Sequence, residues 1–292
     1  MTNEEILQRA KTLKIAIIGD LIEDRYIIGD VHRVSPEAPV VVVSKTSETT
    51  YAGGAGNVFM NLVNLGVDAY LFTRGNPRAD ILCDSIFIHP GRTPIKTRIM
   101  SNNHHLLRVD DEESNPDIVE YDDLTWKEDF EKLFPSLDAI IFSDYHKGTI
   151  SPSISNTIIS LCNEFNIPVF VDAKRDFDKY KHALMIKCNK HEAKDIDVEK
   201  LRSDLKATYF VVTTGETGMT AFYYGNIWLT LAVDVGVVDV CGAGDIVIAI
   251  AAMAFAAGMN MIPALDLSNK AAGESCKHAG VYALTKEDFL KL

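Results

Sequence analysis

Apolar and polar positions divide the chain into short blocks of two kinds. Lys14-Ile15-Ala16-Ile17-Ile18 is a continuous apolar run closed by Gly19-Asp20, the pattern of a strand covered on both faces. Similar runs stand at 69–73, 139–143, 169–172, 185–188 and 210–213, with helix-length stretches at 57–65, 124–134 and 154–164 between several of them. A short amphipathic helix over 4–13 precedes the first run. Strands alternating with helices predict an α/β fold with a mostly parallel sheet. Gly66 stands where a helix C-cap glycine belongs, and Asn166-Ile167-Pro168 breaks the helix before the next strand.

Two segments depart from this alternation. Residues 26–50 are strand-like at Tyr26-Ile27-Ile28 and again at 40–43, with Ser-Pro and Ala-Pro breaks and no helical period. Residues 95–109 read as one or two further strands. Both predict a small β-sheet standing off the main domain. No Gly/Ser/Pro-rich linker and no internal repeat divides the chain, so one domain over 1–292 is the expectation.

Composition narrows the function classes. Of 292 residues, 47% are hydrophobic and 24% charged, a globular balance. The 41 acidic against 29 basic residues leave a net charge of −12, which argues against nucleic-acid partners. The five cysteines are odd in number and contain no C-x-x-C pair, so reduced thiols are expected. The acidic N-terminus lacks the order of a signal peptide. The longest apolar run, 246–259, is shorter than the roughly 18–20 residues of a membrane span. These features predict a cytoplasmic protein without membrane contact.

Three stretches carry candidate chemistry. Ala52-Gly53-Gly54-Ala55-Gly56-Asn57 leads into a helix, and its glycines permit a ligand to approach the backbone; a plain tight turn explains the stretch equally. Asp239-Val240-Cys241-Gly242-Ala243-Gly244-Asp245 opens an apolar helix. Amides of Gly242, Ala243 and Gly244 would form a hole for negative charge, with Asp245 as a carboxylate base beside it, the arrangement phosphoryl transfer requires. A capping Asp is the bland alternative. Asn189 and Glu192, three apart at a strand end, suit a hydrated Mg²⁺ held through water. Lys147, Lys174 and Thr213-Thr214-Gly215 also follow predicted strands, where open α/β sheets place ligands. Neither a Rossmann fingerprint nor a P-loop is present.

The order G-G-A-x-N early and G-A-G-D late resembles the ribokinase-like (PfkB) carbohydrate kinases. Within that family, Gly19-Asp20-x-x-x-Asp24-x-Tyr26 and Arg33-Val34-Ser35-Pro36-Glu37-Ala38-Pro39 are similar to the kinases of D-glycero-D-manno-heptose 7-phosphate, the kinase half of a bifunctional heptose enzyme of lipopolysaccharide precursor synthesis. The resemblance runs from about residue 14 to 289. It implies a three-layer αβα sandwich with a β-sheet lid (about 21–51 and 94–110), Mg²⁺ and ATP, and phosphorylation of the anomeric hydroxyl of a sugar phosphate. Carried over by motif, Asp245 is the base and Gly242, Ala243 and Gly244 the anion hole. Asn189 and Glu192 serve Mg-ATP, and Thr213, Gly215 and Asn269 lie along the nucleotide. Asp20, Asp24, Gly53, Gly54 and Asn57 hold sugar hydroxyls, while Arg33, Lys147 and Lys174 meet phosphate charge. A homodimer through the lid and a separate nucleotidyltransferase are further implications. The alternatives are a PfkB kinase of another sugar or nucleoside, and a catalytically silent sugar- or nucleotide-binding protein derived from one. The chain departs from the family pattern by shortened segments at 73–93 and 194–209, by Ile246 after the Asp and by Ala173 in place of a Pro.

Overall fold

The structure, a computed structural model, describes residues 1–102 and 104–292. Helix α1 (Asn3–Ala10), closed by a reciprocal Thr2–Glu5 capping box, leads into β1 (Lys14–Gly19). A long hairpin of β2 (Leu21–Val34) and β3 (Val41–Gly54) returns through α2 (Ala55–Leu65) to β4 (Asp68–Gly75). The chain continues through β5 (Ile86–Pro90), β6 (Ile95–Ser101) and β7 (His104–Asp111). The expected alternation then sets in: α3 (Lys127–Leu133), β8 (Ala139–Asp144), α4 (Pro152–Phe165), β9 (Val169–Ala173), β10 (Met185–Asn189), α5 (Val198–Asp204) and β11 (Tyr209–Thr213). β12 (Met219–Tyr223) and β13 (Asn226–Thr230) precede α6 (Ala243–Ala256), α7 (Met261–Ser275) and α8 (Lys286–Leu290).

Nine strands form the main sheet in the order β13-β12-β11-β10-β9-β8-β1-β4-β5, and every pairing is parallel except the two made by β12. Both faces are covered, as the uninterrupted apolar runs require. Within β1, Ile15 and Ile17 pack among residues of α1, α2, α6 and α7, while Ala16 and Ile18 pack among Trp126, Phe130 and Ile154 on the other face. The result is a three-layer αβα sandwich. Helix α6 is buried on all sides over residues 245–254, which explains its lack of a polar stripe.

Strand order reverses at β1, which lies between β4 and β8. Open α/β sheets bind ligands in the crevice beyond the strand ends at such a point. The crevice is bordered here by a second sheet, ordered β3-β2-β6-β7, whose first strand leaves β1 one residue past its end. These strands make up the lid. β2 and β3 are far longer than the apolar stretches at 26–28 and 40–43 suggested, pairing from Leu21 opposite Gly54 to Val34 opposite Val41. Much of this hairpin is solvated, so cross-strand charge such as Arg25 with Glu48 (3.5 Å) replaces apolar alternation. Ile28, Val34, Val40, Val41, Leu107 and Val109 remain exposed on the lid. All five cysteines are free, and among the described residues no helix is long and apolar enough to cross a membrane.

Candidate active site

The G-A-G-D stretch forms the start of α6. Gly242 is its N-cap in the left-handed region (φ 81°), and a Cβ there would collide with Asn57 Nδ2. The first-turn amides of Gly244 and Asp245 have no intrahelical acceptor, so they can meet a ligand. Ala243, expected to share this role, turns its N–H to the Val240 carbonyl at 3.3 Å.

Asp245 is buried and held at both oxygens. Asn57 Nδ2 donates to Oδ2 (3.1 Å) and the Tyr145 hydroxyl donates to Oδ1 (2.6 Å). Burial, with the charge of Asp172 beside it, raises its pKa to about 6 despite these donors and the nearby Lys174. A carboxylate with that pKa beside free helix-start amides can accept a proton near neutrality while the amides receive developing negative charge.

The expected nucleotide-side residues connect to this point through charge. Lys174 Nζ lies 3.2 Å from Asp172 Oδ1, 3.6 Å from Glu192 Oε1 and 4.5 Å from the centre of the Tyr145 ring. Burial works against its charge, but Asp172, Glu192 and Asp245 together hold its pKa above the ordinary value. Burial likewise opposes ionisation of Asp172, yet Lys174 and Lys187 win and keep its pKa below normal. Lys187 Nζ is 2.8 Å from Asp172 Oδ2 and packs under Gly244, where a Cβ would come within 3.3 Å of it. Asn189 and Glu192 bond each other twice at 2.6 Å, through the Asn189 backbone N–H and its Nδ2. Thr213 pairs with Asn189 on the neighbouring strand, and the exposed Gly215 (φ 61°) follows it. Asn269 of α7 donates to the Leu231 carbonyl at 2.8 Å.

On the lid side, Asp24 is buried and paired with Arg98, and a Cβ on Gly53 would collide with its Oδ2. Gly54 (φ 58°) lies against the Asp20 carbonyl. Asp20, expected to hold sugar hydroxyls, has both oxygens bonded to the backbone. Its Oδ2 accepts the backbone N–H groups of Tyr145 (2.8 Å) and Lys147 (3.0 Å), and its Oδ1 accepts that of Thr149 (3.1 Å). Asp20 therefore fastens the loop after β8. Burial and the neighbouring Asp144 raise its pKa to about 6. Lys147 Nζ is paired with Glu112 at 2.7 Å. Arg33 is not brought to this cluster: it is exposed, nine residues beyond Asp24 along β2, about 30 Å at ~3.3 Å per residue.

Tyr145, Asp172, Lys187 and Arg98 were not among the candidate residues drawn from the sequence. A lysine inside the apolar run 185–188 was the available signal for one of them, since a buried Lys needs a carboxylate partner.

A buried carboxylate stands at a glycine-lined helix start, beside a parallel sheet and bordered by a β lid, on an α/β scaffold. Residues 92–288 match the family described as pfkB family carbohydrate kinase, and the chain belongs to that family. It is a carbohydrate kinase, a phosphotransferase with an alcohol group as acceptor. The bifunctional protein HldE of Campylobacter jejuni subsp. jejuni serotype O:6 is 35% identical over 289 residues, covering 92% of this chain and 62% of its own length. HldE of Trichlorobacter lovleyi is 31% identical over 317 residues, covering 98% and 64%. The chain thus spans less than two thirds of these relatives. Solved structures share the fold at low identity. Arabidopsis thaliana ribokinase complexed with ribose and ATP superposes with a TM-score of 0.72 at 15% identity, over 96% of this chain and 97% of its own. Phosphofructokinase-2 of Escherichia coli gives 0.73 at 14%, over the same shares.

Proposed function

We propose that this chain, acting as one domain over residues 1–292, uses ATP to phosphorylate the anomeric hydroxyl of D-glycero-D-manno-heptose 7-phosphate, giving the 1,7-bisphosphate. The observation that carries the reading is Asp245, a carboxylate with a pKa of about 6 beside the open amides of the α6 start. In the step, Asp245 takes the acceptor hydroxyl proton as that oxygen bonds to the γ-phosphorus. The bond to the βγ-bridging oxygen breaks, and ADP leaves with its electron pair. Gly242, Ala243 and Gly244 form the small-residue turn that lets the transferring group approach, and the Gly244 and Asp245 amides bear its charge.

Asp24, Gly53 and Gly54 hold the sugar hydroxyls, with Asp20 supporting from behind and Asn57, whose amide hydrogens go to Gly242 and Asp245, supporting the base instead. Lys147 and Lys174 supply local positive charge for phosphates in a chain of net charge −12. Thr213, Gly215 and Asn269 flank the nucleotide. Among the described residues no group of three His, Cys, Asp or Glu side chains could hold a metal. Glu192, each of whose carboxylate oxygens accepts one Asn189 N–H, keeps lone pairs that would hold Mg²⁺ through its waters, with Asn189, whose Oδ1 takes the His191 and Glu192 amides, orienting it; Mg²⁺, when bound, neutralises phosphate charge. The exposed apolar residues of the lid support a homodimer through it, and Arg33 would then serve the partner's site. The heptose assignment rests on the similarity to HldE proteins and on the Arg33-Val34-Ser35-Pro36-Glu37-Ala38-Pro39 stretch. We place the enzyme in the cytoplasm, where ATP is supplied.

A panel of sugars, sugar phosphates and nucleosides assayed for ADP release, with the Asp245→Asn variant as control, tests the reading. Heptose 7-phosphate is expected to give the highest kcat/KM. A higher value for another acceptor overturns the heptose assignment, and release no greater than that of the variant for every acceptor overturns the kinase reading.

A further inference from the structure

The two oxygens of Asp245 are not equivalent. On the Oδ2 side, Asn57 Nδ2 also donates to the Gly242 carbonyl (3.2 Å). Asn57 is itself gripped by Asn61, whose Nδ2 donates to the Asn57 carbonyl (2.8 Å) and Oδ1 (3.0 Å). Asn61 Oδ1 in turn accepts the Leu284 backbone N–H at 2.9 Å. Asn57 and Asn61 are both buried, so this side is built into the α2 core and both amide hydrogens of Asn57 are already used.

Oδ1 faces the loop after β8 and has one donor, the Tyr145 hydroxyl. That hydroxyl stays protonated: burial, then the charges of Asp245 and Asp172, push its pKa well above the ordinary value. The ring is fixed as well. The Lys174 ammonium lies 4.5 Å from its centre and that of Lys96 5.3 Å, and its backbone N–H is bonded to Asp20. An ionised carboxylate oxygen accepts two hydrogen bonds, so Oδ1 keeps one lone pair free while Tyr145 occupies the other.

We propose that Tyr145 is a positioning residue for the base: its hydroxyl holds Asp245 ionised and aims the free lone pair of Oδ1, rather than Oδ2, at the acceptor hydroxyl. The proposal rests on the kinase reading above for what the proton transfer serves, but not for the contact itself. The charged groups facing Asp245 and Tyr145 are Asp172 and Lys174 from β9 and its end, Lys187 from β10, Asp24 from β2 and Lys96 from β6. Tyr145→Phe leaves all of these in place and keeps the ring under Lys174. The variant removes only the donor. A hydrogen bond to a charged group contributes enough to move a carboxylate by about one pH unit.

Two measurements test the proposal. Carboxyl ¹³C NMR of the protein without substrates follows the Asp245 titration directly, the signal being assigned by its loss in Asp245→Asn. In Tyr145→Phe its midpoint is expected about one unit higher than in the parent protein. In turnover, the acidic limb of the kcat profile is expected to move up by the same amount, with the KM for ATP unchanged and kcat largely recovered at high pH. An unmoved NMR midpoint overturns the proposal. So does a loss of kcat equal at every pH, which is the mark of a merely structural tyrosine. If the midpoint moves in a protein that turns over no acceptor, the contact stands and the kinase reading alone fails.

Discussion

Replacing Asp245 by Asn should abolish turnover and stabilise the protein above neutral pH. The carboxyl is raised from 3.8 to about 6, by burial first and by Asp172 second. A folded-state pKa above the unfolded one means that ionisation opposes folding. The penalty is absent below about pH 4, grows as pH rises through 6 and is complete by pH 8. Two units at about 1.4 kcal/mol each make it on the order of 3 kcal/mol. Asn keeps the shape of the side chain: its Oδ1 accepts from Asn57, and its amide donates to the Tyr145 oxygen. The variant is therefore expected to exceed the parent by about 3 kcal/mol at pH 8 and to match it near pH 4. Urea unfolding across this range measures the difference. Asp20, also raised to about 6, is present in both proteins and cancels. A variant less stable than the parent at pH 8, or a difference that does not change with pH, would refute the electrostatic account of the site.

Three other substitutions probe separate parts of it. Gly242→Ala places a side chain at φ 81° and pushes Asn57 off Asp245. A cost of about 1–2 kcal/mol and at least a tenfold fall in kcat are expected, and wild-type values for both would contradict the packing described. Lys187→Met leaves the fully buried Asp172 with Lys174 as its one cation among the described residues. Urea unfolding should show a loss of about 3 kcal/mol, and a neutral result would mean that the pair contributes nothing. Asp24→Asn should raise the KM for the sugar while sparing that for ATP; an equal rise in both would remove Asp24 from the acceptor side.

Strands buried on both faces were legible because runs such as 14–18 and 139–143 are too short for a buried helix like α6 and end at turn residues. The sheet's margins were not. β5, β12 and β13 are short, and Ile227 and Leu229 of β13 face solvent, so no alternation marks them. The lid was recognised as β structure, but its full length was hidden because charged cross-strand pairs carry much of the hairpin. In the site, Gly242 and Asp245 were readable because the glycine turn and the carboxylate that follows it stand together in one motif, although their partners Asn57 and Tyr145 lie far off in the sequence. Tyr145 was passed over in favour of Lys147, two residues on, because its partner lies 100 residues away on α6. Asp20 shows the mirror image: its motif was visible, but the three amides it binds belong to a distant loop and were not.

The most direct test of the central claim is ³¹P NMR of a reaction containing the protein, Mg-ATP and heptose 7-phosphate. The account predicts a new phosphate resonance coupled to the anomeric proton, equal in amount to the ADP formed and absent with Asp245→Asn. Intact ATP, a phosphate on any other carbon, or undiminished product with the variant would contradict it.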